Sequence, residues 1–331
     1  MKVKKHLFAV IFCIVLILFT VYVALDTFVI VRVYDTPAQP ETSPLSTNGV
    51  ETGTGKETET VNAQTEKAET TAEETTESET ETEEETQPVI TDKSYEDDNI
   101  KITIGTYRYY DTTVYVADIV LSSPEYLKTA LAKNTYGKNV AAKTSVTAEE
   151  VGAILAINGD YYGARESGYV IRNGVLYRNR SRTNTDIIAI YEDGDMKVLE
   201  SKDISAEQLL ADGAVNVLSF GPGLISDGEI IVSDGYEVGV AMASNPRTAI
   251  GMIDELHYVF IVSDGRTNEN RGLSLYELSC FMQDYGVTVA YNLDGGGSST
   301  MVFNGEIVNN PTTNGRKISE RSVSDIVYIG Y

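Results

Sequence analysis

From Thr36 to Asp98 the chain repeats glutamate and threonine so persistently that no core can form there. Roughly 18 acidic residues stand against 3 lysines, so this stretch carries about −15 of a formal net charge of −23. A segment with so few apolar side chains cannot offset its ordering entropy, and its like charges stretch it. Residues 36–98 are therefore expected to be a disordered linker, and their threonines and scattered prolines also permit an O-glycosylated stalk. Folding is confined to residues 99–331, a length that buries an adequate core without disulfides. The acidic balance also argues against nucleic acid as a partner, because no basic stripe is present to meet phosphates.

Ahead of the linker, Lys2, Lys4 and Lys5 precede an almost unbroken apolar run from Leu7 to Leu25. That is the length a helix needs to cross a hydrocarbon core, and the positive flank fixes the cytoplasmic end. The apolar character continues past Asp26 into Thr27-Phe28-Val29-Ile30-Val31, and no A-x-A cleavage site follows. A retained signal-anchor over residues 1–35 is thus favoured over a cleaved signal peptide. Residues 7–25 would contact the lipid bilayer, giving a single-pass protein of the cell membrane with its folded domain extracellular. Cys13 lies within the span and Cys280 in an expected helix, so no disulfide is anticipated. With only His6 and His257 besides, a zinc cluster has no ligands.

In the remainder, alternating residues predict strands over 101–109 and 113–121, turning near Asp111. Ser123-Pro124 resembles a helix start, and Thr147 with Glu150 fits a capping box for a second short helix that feeds a strand over 153–157. Asn173-Gly174 and Asp193-Gly194 mark hairpins within 169–178 and 187–198. Ser205 with Gln208 opens a helix reaching about Leu210, strands follow over 248–252 and 256–262, and Ser274-Leu275-Tyr276-Glu277 caps a helix ended by Gly286. Strands over 287–293 and 323–330 complete the list. Hairpins outnumber crossovers, which predicts an α+β fold: a single globular domain of mixed, mainly antiparallel sheet with a few helices.

Chemistry concentrates at strand ends. The run Asn292-Leu293-Asp294-Gly295-Gly296-Gly297-Ser298-Ser299-Thr300 places a carboxylate before three glycines, and such a turn can form an anion-binding nest of backbone N–H groups. No lysine follows, and Thr300 to Gly305 reads as a strand entering a hairpin, so a nucleotide P-loop is disfavoured. Asn158-Gly159-Asp160, Asn245-Pro246-Arg247-Thr248 and Ser263-Asp264-Gly265-Arg266 lie at other strand ends. Short loops on a rigid sheet can bring such side chains to one pocket, although each alone is also ordinary turn chemistry. Asp160, Asp264 and Asp294 could together hold a hard cation such as Ca²⁺ or Mg²⁺, but no cofactor is required by the sequence and the metal is left open.

These motifs, together with Leu275 and Glu277 and the closing Glu320-Arg321-Ser322-Val323, occur in an order that resembles the phosphodiester glycosidase family over about Val151 to Tyr331. The chain departs from many relatives in having Asp160 after Asn158-Gly159 and Tyr162 two positions on. The resemblance implies a hydrolase that breaks the glycosidic bond of a sugar-1-phosphodiester, releasing sugar and phosphomonoester, here on an extracytoplasmic surface glycan. It makes Asp294, Asp264 and Asp160 the candidate catalytic carboxylates, Asp294 first. Substrate contacts would come from Asn158, Arg247, Thr248, Arg266, the N–H groups of Gly295, Gly296, Gly297 and Ser298, and from Glu277, Glu320 and Arg321. Glu277 is explained as well by its capping box, and Glu320 with Arg321 by a supporting ion pair. The alternative is a non-catalytic glycan-phosphate binder in exopolysaccharide assembly, which keeps the arginines and needs no competent carboxylate.

Overall fold

The computed structural model describes residues 2–34, 87–236 and 244–331, so most of the expected linker lies outside the described residues. Its end does not: Val89–Ile90 and Ser94–Glu96 are strands of the main sheet, and the folded domain therefore starts earlier than residue 99. The composition there is still acidic, but Tyr95 buries its ring and donates to Asp97, giving this stretch the apolar anchor that the stalk lacks.

A nine-stranded sheet runs Glu229–Ile230, Gly223–Ser226, Val289–Asn292, Arg247–Asp254, His257–Ser263, Thr112–Leu121, Ile100–Tyr109, Ser94–Glu96, Val89–Ile90. A five-stranded sheet runs Glu306–Ile307, Met301–Phe303, Leu155–Asn158, Asp325–Ile329, Leu127–Leu131. A second five-stranded sheet is built from Val175–Arg178, Val170–Arg172, Ala214–Leu218, Asp186–Tyr191 and Met196–Glu200. Every pairing among the described strands is antiparallel, and with the helices the fold is α+β as anticipated.

Period-two burial explains the layers. In Thr112–Leu121 the odd positions Ala117, Ile119 and Leu121 join Tyr258, Phe260 and Val262 in a core shared with Leu155, Ile157, Val327 and Ile329 of the five-stranded sheet. The even positions Val114 and Val116 face the opposite way with Val259 and Ile261, where helix Leu275–Asp284 covers them through Leu275, Leu278 and Met282. That helix opens with the expected capping box: Ser274 accepts from the Glu277 N–H and Glu277 from that of Ser274.

Two local expectations fail for identifiable reasons. Ser123-Pro124 starts only a 3-10 turn, Pro124–Tyr126, because the next residues alternate in burial and pair as strand Leu127–Leu131. The second helix is Thr144–Glu150, so Thr147 lies inside it rather than capping it. Its first turn is satisfied from far away: Glu320 accepts from the Ser145 N–H at 3.0 Å and from its hydroxyl at 2.6 Å. At the N-terminus, helix Lys2–Phe28 contains Leu7–Phe28, 22 residues long and apolar enough to cross a membrane by length and composition.

Candidate active site

Four of the predicted motifs meet where the nine-stranded and first five-stranded sheets come together. Asn158, at the end of Leu155–Asn158, is the joint. Its Oδ1 accepts from the Thr248 hydroxyl at 2.8 Å and the Thr300 N–H at 3.2 Å, and its Nδ2 donates to the Asp294 carbonyl at 2.6 Å and the Gly159 carbonyl at 3.3 Å. A fully buried amide engaged on both sides has no capacity left for a ligand. Asn158 and Thr248 are thus joined to each other and to the Asp294 turn.

Gly159 is the second fixed point. Its carbonyl accepts from the Asp294 N–H, its own N–H donates to the Asp325 carbonyl, and a Cβ there would come within 2.5 Å of the Asp325 carboxylate. Only glycine lets the buried acid approach this closely. The turn that follows is also held by the neighbouring strand: the Leu293 N–H donates to the Thr248 carbonyl and that of Gly296 to the Pro246 carbonyl. Arg247 and Asp294 therefore lie at the same end of the molecule, as a common site requires.

The side chains divide into those directed inward and those with capacity to bind. Asp294, 8% exposed, receives Arg321 Nη2 on Oδ2 at 2.8 Å, while its Oδ1 makes no hydrogen bond among the described residues. Arg321 also donates from Nε to the Ser298 hydroxyl at 2.8 Å, and its backbone N–H caps the Gly297 carbonyl. The expected Glu320–Arg321 ion pair is absent: the two neighbours point to different partners, Glu320 to the helix start and Arg321 to Asp294. Arg266 lies against Gly296, with Nε and Nη2 on the Asn245 amide oxygen and Nη1 on the Thr313 carbonyl. Burial, then the Arg321 charge, pull its pKa below the ordinary arginine value, and the Asp294 carboxylate opposes them.

Arg247 is almost wholly buried and its Nε donates to the Leu273 carbonyl at 2.9 Å, so it braces the loop leading to the capped helix. Of the expected anion nest, the N–H groups of Gly296 and Ser298 are taken by the Pro246 and Gly295 carbonyls. Those of Gly295 and Gly297 form no hydrogen bond among the described residues, which halves the donor set. Glu277 is occupied by its capping box and an ion pair with Arg271, as its position in the sequence suggested.

Asp160 and Asp264, the other two candidate carboxylates, are engaged by protein partners. Asp160 accepts from the N–H groups of Tyr162 and Ser219 and forms an ion pair with buried Arg172, which also binds Asp325. Asp264 accepts from Tyr115, from the Asn310 N–H and from the Asn310 amide, pinning the loop before Pro311. Each carboxylate thus has a different set of partners, and among the described residues no group of three His, Cys, Asp or Glu side chains is placed to hold a metal ion.

Sequence reasoning missed Arg165. Its half-buried guanidinium lies 4.7 Å from the Phe220 ring centre and 5.6 Å from that of Tyr161, with Nη1 on the Ser219 carbonyl. Burial, then the Arg182 charge, lower its pKa, while Asp160 and Asp294 oppose them, which puts it in the same field as the site carboxylate. The only sequence signal was a cation shortly after Asn158-Gly159-Asp160, outside any recognisable motif. Beside Phe220 opens a cavity of about 490 Å³, lined also by Arg182, Asn184, Asp186, Glu200 and Tyr236. Asn292 Oδ1, Ser299 Oγ and Thr300 Oγ1, all from the strand and turn carrying Asp294, are buried without hydrogen-bond partners in the described structure. Such groups are uncommon in native proteins.

Comparison with known proteins gives the family and the fold. A family model described as phosphodiester glycosidase matches residues 151–330. N-acetylglucosamine-1-phosphodiester alpha-N-acetylglucosaminidase of Mus musculus is 28% identical over 183 residues, 50% of this chain and 35% of that protein. The Bos taurus protein of the same name is 28% identical over 232 residues, 63% and 43% of the two chains. The SPbeta prophage-derived uncharacterized protein YomE of Bacillus subtilis is 31% identical over 186 residues, 54% and 28% of the two. The chain thus spans less than half the length of these curated relatives. Among solved structures, the catalytic domain of the zebrafish enzyme superposes with a TM-score of 0.55 at 24% identity, covering 70% of this chain and 83% of that one. A hypothetical protein from Synechocystis does so with the same TM-score at 15% identity, covering 70% and 62%. At these identities the likeness establishes the fold.

Proposed function

The chain belongs to the phosphodiester glycosidase family, and we propose that it hydrolyses the glycosidic bond of a sugar-1-phosphodiester, releasing free sugar and a phosphomonoester. The observation that carries this reading is the charge pattern around Asp294: one carboxylate with an unengaged oxygen, paired with Arg321 and followed by the glycine turn against which the Arg266 guanidinium lies. A site with more fixed cations than anions suits a phosphodiester, and guanidinium forks bind its oxygens best. Arg321, on the glycine turn, takes the phosphate together with the N–H groups of Gly295 and Gly297, the role that Arg247 was expected to fill.

A single competent carboxylate suffices for this reaction. The departing phosphomonoester has a second pKa near 6, so it leaves without the strong general acid that an alcohol needs. Asp294 Oδ1 then faces the oxocarbenium-like transition state, as nucleophile or as the base that activates water. The relatives named for an N-acetylglucosaminidase activity make N-acetylglucosamine the first sugar to test. We further assign residues 1–35 to a membrane anchor, residues 36–86 to an acidic linker and the remainder to the catalytic domain, exposed outside the cell to a surface glycan.

The test is a panel of sugar-1-phosphodiesters incubated with residues 87–331, with NMR detection of the newborn anomer. Stoichiometric sugar and phosphomonoester are expected. Tight binding across the panel without turnover would favour the glycan-phosphate binder instead. Arg321→Met should lower kcat/KM by about 10²- to 10³-fold, the scale of losing one preorganised electrostatic donor. An unchanged kcat/KM would remove Arg321 from the phosphate site.

A further inference from the structure

The end of the apolar helix is attached to the folded domain. Beyond Phe28 the chain forms strand Arg32–Val33, which pairs antiparallel with Gly137–Lys138. The Tyr34 N–H then donates to the Tyr136 carbonyl at 3.0 Å, and the two rings meet at 5.6 Å. Asn139, left-handed at φ 58°, reaches the helix itself: its amide donates to the Ile30 carbonyl at 2.9 Å and the Thr27 carbonyl at 3.4 Å. The Thr27 carbonyl is in the last turn of the helix, where acceptors lack intrahelical donors, and the Ile30 carbonyl lies two residues beyond its end.

The domain is shaped for this strand. A Cβ on Gly137 would fall 2.2 Å from the Arg32 carbonyl, so the pairing depends on glycine there. On the domain side, Asn139 is held by its N–H on the Gly163 carbonyl, and Lys138 by an ion pair with Glu166. Tyr34 closes one side of a cavity of about 340 Å³ whose other walls include Tyr136, Tyr162 and Tyr177. Added-strand pairing of this kind gives affinity through the main chain and specificity through the pockets beside it.

We propose that residues 30–34 are a docking strand that seats the Tyr136–Asn139 face of the domain directly on the bilayer surface. The inference rests on the reading of Leu7–Phe28 as a membrane span. Its consequence concerns reach. The acidic segment leaves the domain at Tyr34 and rejoins it at Val89, so it is a loop in the connectivity and not the spacer between membrane and enzyme. The length of that segment does not set the distance from the bilayer, and the substrates served are glycosyl phosphodiesters presented at the membrane surface.

Full-length protein in phosphatidylcholine–phosphatidylglycerol vesicles tests this. A donor dye on Glu306→Cys, in a Cys13→Ser, Cys280→Ser background, reports energy transfer to an acceptor-labelled lipid. Deleting residues 45–80 is expected to leave transfer unchanged. Gly137→Val, which blocks the strand, and Tyr34→Pro, which removes its donor from outside the domain core and cannot unfold that core, should each lower transfer by at least half. Lower transfer on deletion, or unchanged transfer with Tyr34→Pro, would overturn the dock. Recovery of the unmodified protein in the vesicle-free fraction would overturn the span itself, a separable failure that takes the dock with it.

Discussion

Asp294→Asn is expected to reduce sugar release by about 10³-fold or more, the scale at which positioned carboxylates contribute to acid–base or nucleophilic steps. The substitution preserves shape. The Asp294 N–H still donates to Gly159 and its carbonyl still accepts from Asn158, because both are backbone contacts. The asparagine oxygen can replace Oδ2 opposite Arg321, which turns an amide NH₂ toward the position now held by Oδ1. The site then offers a donor where the oxocarbenium-like centre needs an anion. Only a partly exposed ion pair is weakened, so stability should fall by roughly 1 kcal/mol or less and the melting temperature by a few degrees. Binding should move the other way: with one negative charge removed from beside Arg321, the Kd for an uncleaved phosphodiester should hold or tighten. A variant that turns over normally would eliminate Asp294 as the reacting carboxylate, and one that loses binding with kcat intact would make it a substrate ligand instead.

The fold was legible where local chemistry and burial agree. Asn173-Gly174 joins Val170–Arg172 to Val175–Arg178, and Ser274 with Glu277 opens the helix that covers the main sheet. Strand ends also pointed to the meeting place of Asn158, Thr248 and Asp294. The sequence could not show direction. Asp160 and Asp264 carry the same functional group as Asp294, but partners distant along the chain, Arg172 and Ser219 for one and Tyr115 and Asn310 for the other, turn them inward. Arg247 and Arg321 exchange importance for the same reason: a burial environment set by tertiary packing decides which guanidinium retains exposure. Leu127–Leu131 and Ala214–Leu218 were missed although Asp212-Gly213 marks a turn before the second; pairing with remote strands makes them strands. The docking strand was hidden by the length of the apolar run, which suggested only that the anchor continued.

Beneath the site, Arg172 lies between Asp160 and Asp325, all three side chains at most 2% exposed. One guanidinium cannot neutralise two carboxylates. Burial pushes the Asp325 carboxyl up to about 8; Arg172 opposes the rise and the Asp160 charge adds to it. Its Oδ1 has no hydrogen-bond partner among the described residues, a position that a proton suits. In the unfolded chain an aspartate titrates near 4. Between those values the folded state binds a proton that the unfolded state has lost, so this group's contribution to stability falls as pH rises from about 4 to 8. Asp325→Asn, which can still accept from Arg172, should flatten that part of the pH profile in urea unfolding. Arg172→Met should act far more strongly, by roughly 3 to 5 kcal/mol, because it leaves buried carboxylates without their counter-ion. The loss should be larger at pH 8 than at pH 5, where protonation relieves one of the two acids. Since the Asp325 carboxylate packs on Gly159 and Gly159 holds the Asp294 N–H, catalysis should decline with it even in the fraction that remains folded. Equal destabilisation at both pH values would mean that Asp325 does not carry the proton, and full activity in the folded variant would uncouple the triad from Asp294.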